Sequence, residues 1–108
     1  MEGQSTNVFD GDDAGFLAWL AGSPAGFVVN TRRQPDPQYM VLHRASCHHI
    51  NRYTAGSSSG GFTERAYIKV CAGSIEALQE WVRYNGRSDG TFSNECGSCK
   101  PLSGNQRE

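Results

Sequence analysis

Four residues with the side chains that zinc prefers occur in this sequence as two short pairs. His43 and Cys47 form an H-x3-C pair in LHRASC, and Cys96 and Cys99 form a C-x2-C pair in NECGSCKP. Each spacing allows one tight turn to supply two ligands, and a tetrahedral zinc ion needs four. The sequence therefore predicts one structural Zn²⁺ site that joins two distant parts of the chain, with His43, Cys47, Cys96 and Cys99 as its ligands.

The even number of cysteines also allows disulfide or redox chemistry. The N-terminal residues MEGQSTNVFDGDD are acidic and polar and do not resemble a secretory signal, so we expect a cytoplasmic, reducing location that favours metal binding. The C-x2-C pair follows a loop and has no βαβ context, which disfavours a thioredoxin-like role.

Cys71 competes as a metal ligand, but we expect its side chain to be a buried core thiol. His48 and His49 also compete, and we expect them to lie in a polar turn beside Cys47.

Length and composition favour one small domain that is stabilised by a metal. The 108 residues include 13 glycines and are 37% hydrophobic, which allows only a thin core. We expect one zinc-binding domain over residues 1–108, with flexible ends at 1–12 and 103–108. No run of apolar residues approaches the roughly 18 that a membrane span needs, so we expect no membrane association.

Two segments have the patterns of short helices. Residues 13–21 can be capped by Asp10 or Asp12, and residues 75–85 follow Ser74, which is a favoured capping residue. In both segments the apolar residues recur at helical spacing, so each helix has one face to bury. These residues are Phe16, Leu17 and Leu20 in the first helix and Ile75, Leu78 and Val82 in the second.

Three segments, residues 26–31, 39–43 and 66–72, have the composition of β-strands. The first two flank RRQPDPQ and can form an antiparallel hairpin, with His43 at its end. The glycine- and serine-rich residues 54–61 indicate a loop. We therefore expect an α+β fold: a small zinc-stapled domain with a three-stranded, mainly antiparallel sheet, two helices and a C-terminal C-x2-C knuckle. Alternation in the third strand places Tyr67, Lys69 and Cys71 on one face and Ile68 and Val70 on the other.

The order of these motifs resembles the metal-binding domain of Ada-type DNA repair proteins. HRASC, a strand, a Ser-led helix that contains E-A-L, and C-x-x-C-K-P recur in that superfamily, including its shorter modules beside nucleases. The resemblance covers residues 38–102. Ala45 departs from the pattern where proline is common, and residues 54–65 and 85–95 look longer than the family's connections.

The resemblance also implies what chemistry this chain lacks. His43 stands where the methyl-accepting repair proteins have a cysteine, so this chain has no thiolate at the acceptor position. We therefore expect no methyl transfer. Nuclease activity through His48 or His49 is also disfavoured, because the sequence offers no carboxylate cluster for a hydrolytic metal. We expect that the chain is not an enzyme.

The resemblance implies contact with DNA, since family members bind DNA with basic residues beside the zinc turn. Residues 30–71 contain six basic and two acidic side chains, although the whole chain has a net charge of −1. We expect weak to moderate, salt-dependent binding to DNA phosphates. The candidate contacts are Arg32, Arg33, Arg44, Arg52 and Lys100. The alternative is a zinc-stabilised protein-interaction adaptor, in which an acidic N-terminal helix with Trp19 docks a partner; the pI of about 6.3 favours that alternative.

Overall fold

A computed structural model describes residues 6–47, 50, 63 and 67–102 and shows an α+β domain, as predicted. The strands follow the order β1-β4-β2-β3-β5 in one sheet; all neighbours are antiparallel except β3 and β5, which are parallel. The elements are β1 (Asn7–Phe9), α1 (Asp13–Gly22), β2 (Phe27–Asp36), β3 (Tyr39–Arg44), β4 (Tyr67–Ala72), α2 (Ile75–Tyr84) and β5 (Asn94–Glu95).

The prediction of three strands was wrong, because the sheet has five strands and is mixed. The two additional strands are its edges, β1 with three residues and β5 with two. Neither is long enough to show the alternation that marks a strand in sequence. Their pairing partners define them: Val8 lies opposite Val70, and Ser93, beside β5, is bonded to Met40 through both its backbone N–H and its hydroxyl.

The predicted hairpin is confirmed as β2 and β3, but β2 is longer than expected. It continues to Asp36, through residues that the two prolines marked as a loop. The register shifts between Thr31 and Asp36, and the Asp36 N–H donates to the Thr31 hydroxyl at 3.3 Å. This irregularity accommodates Pro35, which has no N–H to donate to a regular ladder.

Both helices begin within the predicted limits because side chains cap them. An Asp12 carboxylate oxygen accepts a hydrogen bond from the Gly15 N–H at 2.8 Å. The Ser74 hydroxyl accepts one from the Ala77 N–H at 3.2 Å. Such a cap contributes about 1 kcal/mol by satisfying an N–H at the start of the helix.

The helices lie on opposite faces of the sheet and create two separate cores. On the α1 face, Phe16 and Leu20 pack with Val28 and Cys71; on the α2 face, Leu78 and Val82 pack in a second cluster. The predicted alternation in β4 is confirmed, because Cys71 belongs to the α1 core while Ile68 and Val70 belong to the α2 core. Both faces of the central strands are therefore covered.

Each of the two helices has ten residues, and no helix in the described part of the chain is long and apolar enough to cross a membrane. Several of the predictions made above fall outside the described residues. They concern His48, His49, Arg52, the loop at 54–61 and the C-terminal residues 103–108.

Candidate metal centre

The two predicted ligand pairs converge at one end of the sheet. The candidate ligand atoms of His43, Cys47, Cys96 and Cys99 all lie within 4.8 Å of one another. The Sγ atoms of Cys47 and Cys96 are 3.7 Å apart. Zinc–sulfur bonds of about 2.3 Å in tetrahedral geometry place two sulfur atoms at about this separation. The four side chains can therefore hold one metal ion with little movement.

The first pair is positioned by the end of β3 and the turn that follows it. His43 lies opposite Val28 in the sheet, so its imidazole is on the α1 face. The Ala45 N–H then donates to the Gly26 carbonyl at 2.8 Å, and the Cys47 N–H donates to the Arg44 carbonyl at 3.0 Å. These bonds fold the chain back so that Cys47 joins His43 at the same end of the sheet.

The second pair is positioned by β5, the short parallel edge strand. Glu95 lies opposite Leu42, and the Cys96 N–H extends this pairing by donating to the Leu42 carbonyl at 2.9 Å. The Lys100 N–H then donates to the Cys96 carbonyl at 3.0 Å and closes the C-x2-C turn. β5 thus has a clear function in the fold, because it places Cys96 beside His43.

Backbone N–H groups are directed at two of the sulfur atoms, as expected for a metal-binding knuckle. The Arg44 N–H donates to the Cys99 Sγ at 3.2 Å, and the Ser98 N–H donates to the Cys96 Sγ at 3.4 Å. Burial raises the pKa of Cys96, but hydrogen bonds from the backbone of Cys99 and Ser98 outweigh it and lower that pKa below its ordinary value. The backbone N–H groups therefore stabilise the thiolate form of Cys96 relative to the thiol.

Burial raises the pKa of Cys99, and the neighbouring Cys96 charge adds to the increase. A second thiolate beside the first thus requires a compensating positive charge, which a bound cation supplies. His43, Cys47 and Cys96 are buried, whereas Cys99 is partly exposed. Three thiols and one imidazole form a donor set suited to zinc, and the described residues of the cluster include no carboxylate.

Cys71 lies outside this cluster, as predicted. Its side chain is fully buried in the α1 core, and burial raises its thiol pKa to about 12. A thiol that resists ionisation is a poor metal ligand, because the ligand is the thiolate. Cys71 therefore acts as an apolar core residue.

Arg44 and Lys100, two of the predicted DNA contacts, lie beside the metal centre. The Arg44 guanidinium donates to the Cys99 carbonyl at 2.9 Å and to the Lys100 carbonyl at 3.3 Å. Lys100 is exposed and has a φ of +43°, the only positive φ of a non-glycine residue in the described ranges. The knuckle thus carries two cationic side chains, and one of them is tied to its carbonyl groups.

Arg32 and Arg33 lie at the opposite end of β2. Four residues separate Arg32 from Val28, which pairs with His43, and this corresponds to about 13 Å along the strand. Both arginines have acidic partners: Arg32 Nε lies 3.4 Å from an Asp36 oxygen, and Arg33 bonds to Asp10. The described candidates therefore form two groups at two ends of the sheet.

Trp19 is partly buried against the α1 core, although the adaptor hypothesis needs an accessible ring. The ring lies close to Gly26, where an added Cβ would be 2.7 Å from Trp19 Cη2. Trp19 thus helps to attach α1 to the start of β2.

Sequence reasoning missed a polar cluster on the same face as the metal centre. Lys69 is only 4% exposed, and its ammonium donates to the Asn30 side-chain oxygen at 2.8 Å. The Arg32 guanidinium lies over the rings of Tyr39 and Tyr67. The alternation of β4 was the available signal, because it placed a lysine between Tyr67 and Cys71 on one face.

Comparisons with protein-family models, with curated proteins and with solved structures give no match for this chain.

Proposed function

We propose that this chain is a structural-zinc module of the Ada-like type that binds DNA through cationic side chains at its C-x2-C knuckle. The observation that carries the proposal is the attachment of Arg44 to the knuckle that contains Cys99 and Lys100. The resemblance of the motifs to Ada-type metal-binding domains supports DNA as the partner.

The composition of the metal centre supports a structural ion. Three thiolates and a neutral imidazole fill the four positions of tetrahedral zinc and leave no position for a reactive water. His43 takes the position at which methyl-accepting relatives in the resembled family have a cysteine. In this proposal the ion holds the turn at Cys47 against the knuckle, and the chain's own arginine and lysine side chains contact the phosphates.

Lys100 adds a second argument for an anionic partner. A φ of +43° costs about 1–2 kcal/mol for a residue with a Cβ, and glycine would adopt it without this cost. Lys100 is exposed, and its backbone carbonyl accepts a hydrogen bond from the Arg44 guanidinium. An arginine and a lysine on one turn suit a phosphate backbone, since arginine can donate two parallel hydrogen bonds and lysine adds a mobile charge.

Lys100→Gly tests the proposal, because it removes the charge while relieving the backbone conformation. We expect stability to be unchanged or higher, duplex binding to weaken at low salt, and the slope of log K against log salt to fall by about 1. Binding would be measured by fluorescence anisotropy with a labelled duplex across a salt series.

Arg83→Gln is the matched control, because it removes one positive charge from α2, away from the knuckle. Equal weakening by both variants would mean that overall charge, not the knuckle, determines binding. Absence of duplex binding by the unmodified protein at low salt would refute the proposed function.

A protein-interaction adaptor is the second candidate function. Val8 and Tyr84 are among the exposed large hydrophobic side chains of the described residues, at 48% and 82% exposure. Tyr84 also borders a groove formed by Thr6, Ala77, Glu80 and Trp81. In this alternative Tyr84→Asp abolishes binding to the protein partner, whereas Lys100→Gly has no effect on it.

A further inference from the structure

A group of polar and aromatic side chains lies on the α1 face of the sheet, at the end remote from the metal centre. Two of its members, Arg32 and Asn30, lie on β2 directly opposite Tyr67 and Lys69 of β4, so all four side chains project from one face. The Arg32 guanidinium reaches the Tyr39 ring of β3. We call this group the tyrosine face; it consists of Asn30, Arg32, Tyr39, Tyr67 and Lys69.

The rings and the guanidinium of the tyrosine face form a stack that solvent can reach. The ring centroids of Tyr39 and Tyr67 are 5.5 Å apart with an interplanar angle of 45°. Arg32 Cζ lies 5.3 Å from the first centroid and 5.6 Å from the second. The Arg32 side chain is 51% exposed, and both tyrosines are partly exposed. A further planar group can therefore join the stack from the solvent side.

Hydrogen bonds hold this arrangement before any ligand binds. The Lys69 ammonium donates to Asn30 Oδ1 at 2.8 Å, and Asn30 Nδ2 donates to the Tyr39 hydroxyl at 3.4 Å. Lys69 is nearly buried, so its ammonium, the first donor in this series of hydrogen bonds, has little freedom to move. The amide of Asn30 has two N–H donors, and Tyr39 accepts from one of them. These two bonds fix the orientation of the Asn30 amide beside the Tyr39 ring.

The Arg32 guanidinium can also bind a phosphate group at the same position. Arg32 Nε lies 3.4 Å from an Asp36 oxygen, and both side chains are substantially exposed. An exposed ion pair of this kind contributes little to stability, so a phosphate can replace the carboxylate as the partner of the guanidinium. Stacking rings beside an exposed arginine match the combination by which proteins bind single-stranded nucleic acid.

We propose that the tyrosine face binds an unpaired base of single-stranded DNA, with Arg32 contacting the adjacent phosphate. The inference rests on the proposed function, since it assumes that the chain binds DNA, but it concerns a second surface, about 13 Å along β2 from the residue that pairs with His43. An unpaired base can leave its neighbours and lie against the sheet, whereas a base inside a duplex is already stacked on both sides. The tyrosine face thus adds a preference for unpaired bases to a knuckle that contacts only phosphates.

The test compares two labelled twelve-nucleotide probes, an oligothymidylate and an abasic strand with the same phosphates. For the unmodified protein we expect the oligothymidylate to bind about tenfold more tightly at low salt, as one base stack provides. Tyr67→Leu should remove this difference while leaving abasic binding unchanged. Tyr67→Phe is the matched control, because it keeps the ring and should keep the preference. If Tyr67→Leu does not fold, Tyr39→Leu serves as the second variant, because it removes the other ring of the pair, and the same loss of preference is expected.

Equal binding of the two probes by the unmodified protein would overturn the inference. So would an oligothymidylate preference that persists in both Tyr67→Leu and Tyr39→Leu. In either case, weakening of both probes by Lys100→Gly would leave the proposed function intact. If the unmodified protein bound neither single-stranded probe nor a duplex, both this inference and the proposed function would be overturned. The two kinds of failure can therefore be distinguished.

Discussion

Lys69 places an ammonium group inside the α1 face, between exposed tyrosines and the fully buried Cys71. Burial lowers its pKa to about 8, against a smaller opposing effect of the Asp13 carboxylate and of Cys71. The Asn30 oxygen accepts its hydrogen bond, and the Phe16 ring lies 5.9 Å from its nitrogen. The charged form is therefore partly compensated but remains less favourable than in water.

This depressed pKa has a consequence for stability above pH 8. The unfolded chain retains a proton on Lys69 up to its ordinary value of 10.5, whereas the folded protein releases it near pH 8. The contribution of Lys69 to stability therefore rises with pH from about 8, because at Lys69 the unfolded state binds more protons than the folded state. Above pH 9 the raised pKa of Cys71 acts in the opposite direction, since its thiol ionises more readily when unfolded.

We expect Lys69→Met to reduce the pH slope of the unfolding free energy between pH 8 and 9, by up to about 1.4 kcal/mol per pH unit. Urea unfolding of the metal-loaded proteins at pH 7.5, 8, 8.5 and 9 measures the slope. The difference between the two proteins cancels the contribution of the metal ligands, which are present in both. Identical slopes would show that Lys69 keeps its ordinary pKa in the folded protein.

At the scale of the elements, structure that is set by nearby residues could be predicted from the sequence, whereas structure that is set by distant pairing partners could not. α1 and α2 were predictable to within one residue because their caps and apolar spacing lie within a few residues of each helix. β4 was predictable from its alternation. β1 and β5 were not, because two or three residues carry no periodicity and only their partners in the sheet make them strands.

The same distinction applies to the candidate site. The ligand set was predictable because each pair is defined by a short spacing that metal chemistry dictates. The division of the basic residues into two separate groups was not predictable, because it depends on the length of β2. That strand continues past the predicted boundary at residue 31 and carries Arg32 and Arg33 away from Arg44.

Gly26 is the position where the first helix meets the sheet, and it has no room for a side chain. An added Cβ would lie 2.7 Å from the Trp19 ring and 2.9 Å from the Ala72 carbonyl oxygen. Because the second contact is with backbone, we expect Gly26→Ala to destabilise the protein by about 1–3 kcal/mol. Urea unfolding measures the effect. Gly22→Ala, with no atom within 4 Å of the added Cβ, should be neutral or slightly stabilising; similar losses in both variants would contradict the steric argument.

At the scale of the molecule, the metal centre belongs to one of the two cores. Cys47 and Cys96 pack with Phe16, Leu20 and Val28 in the cluster under α1. Metal binding contributes about 10–16 kcal/mol in small zinc peptides, against a total stability of about 5–15 kcal/mol for a typical domain. With zinc bound, the α1 core would therefore depend on an ion that joins the end of β3 to the knuckle.

We expect removal of the metal by a chelator to unfold the chain or to leave it without fixed packing, seen as loss of dispersion in its ¹H–¹⁵N spectrum. Cys96→Ser should lose stoichiometric zinc and behave in the same way. Cys71→Ala is the control, because Cys71 lies outside the ligand cluster and its loss should leave one zinc per chain. A chelated protein with an unchanged spectrum would contradict this dependence.

Arg44 is bonded both to a candidate metal ligand and to the knuckle beside it. Its N–H donates to the Cys99 sulfur, and its guanidinium donates to carbonyl groups of the knuckle that a bound metal would order. An anion that binds more tightly to the ordered knuckle must, by thermodynamic reciprocity, raise the affinity for the metal by the same factor. Under the proposed function, bound DNA would therefore slow the extraction of zinc by a chelator, and that rate would measure nucleic-acid occupancy.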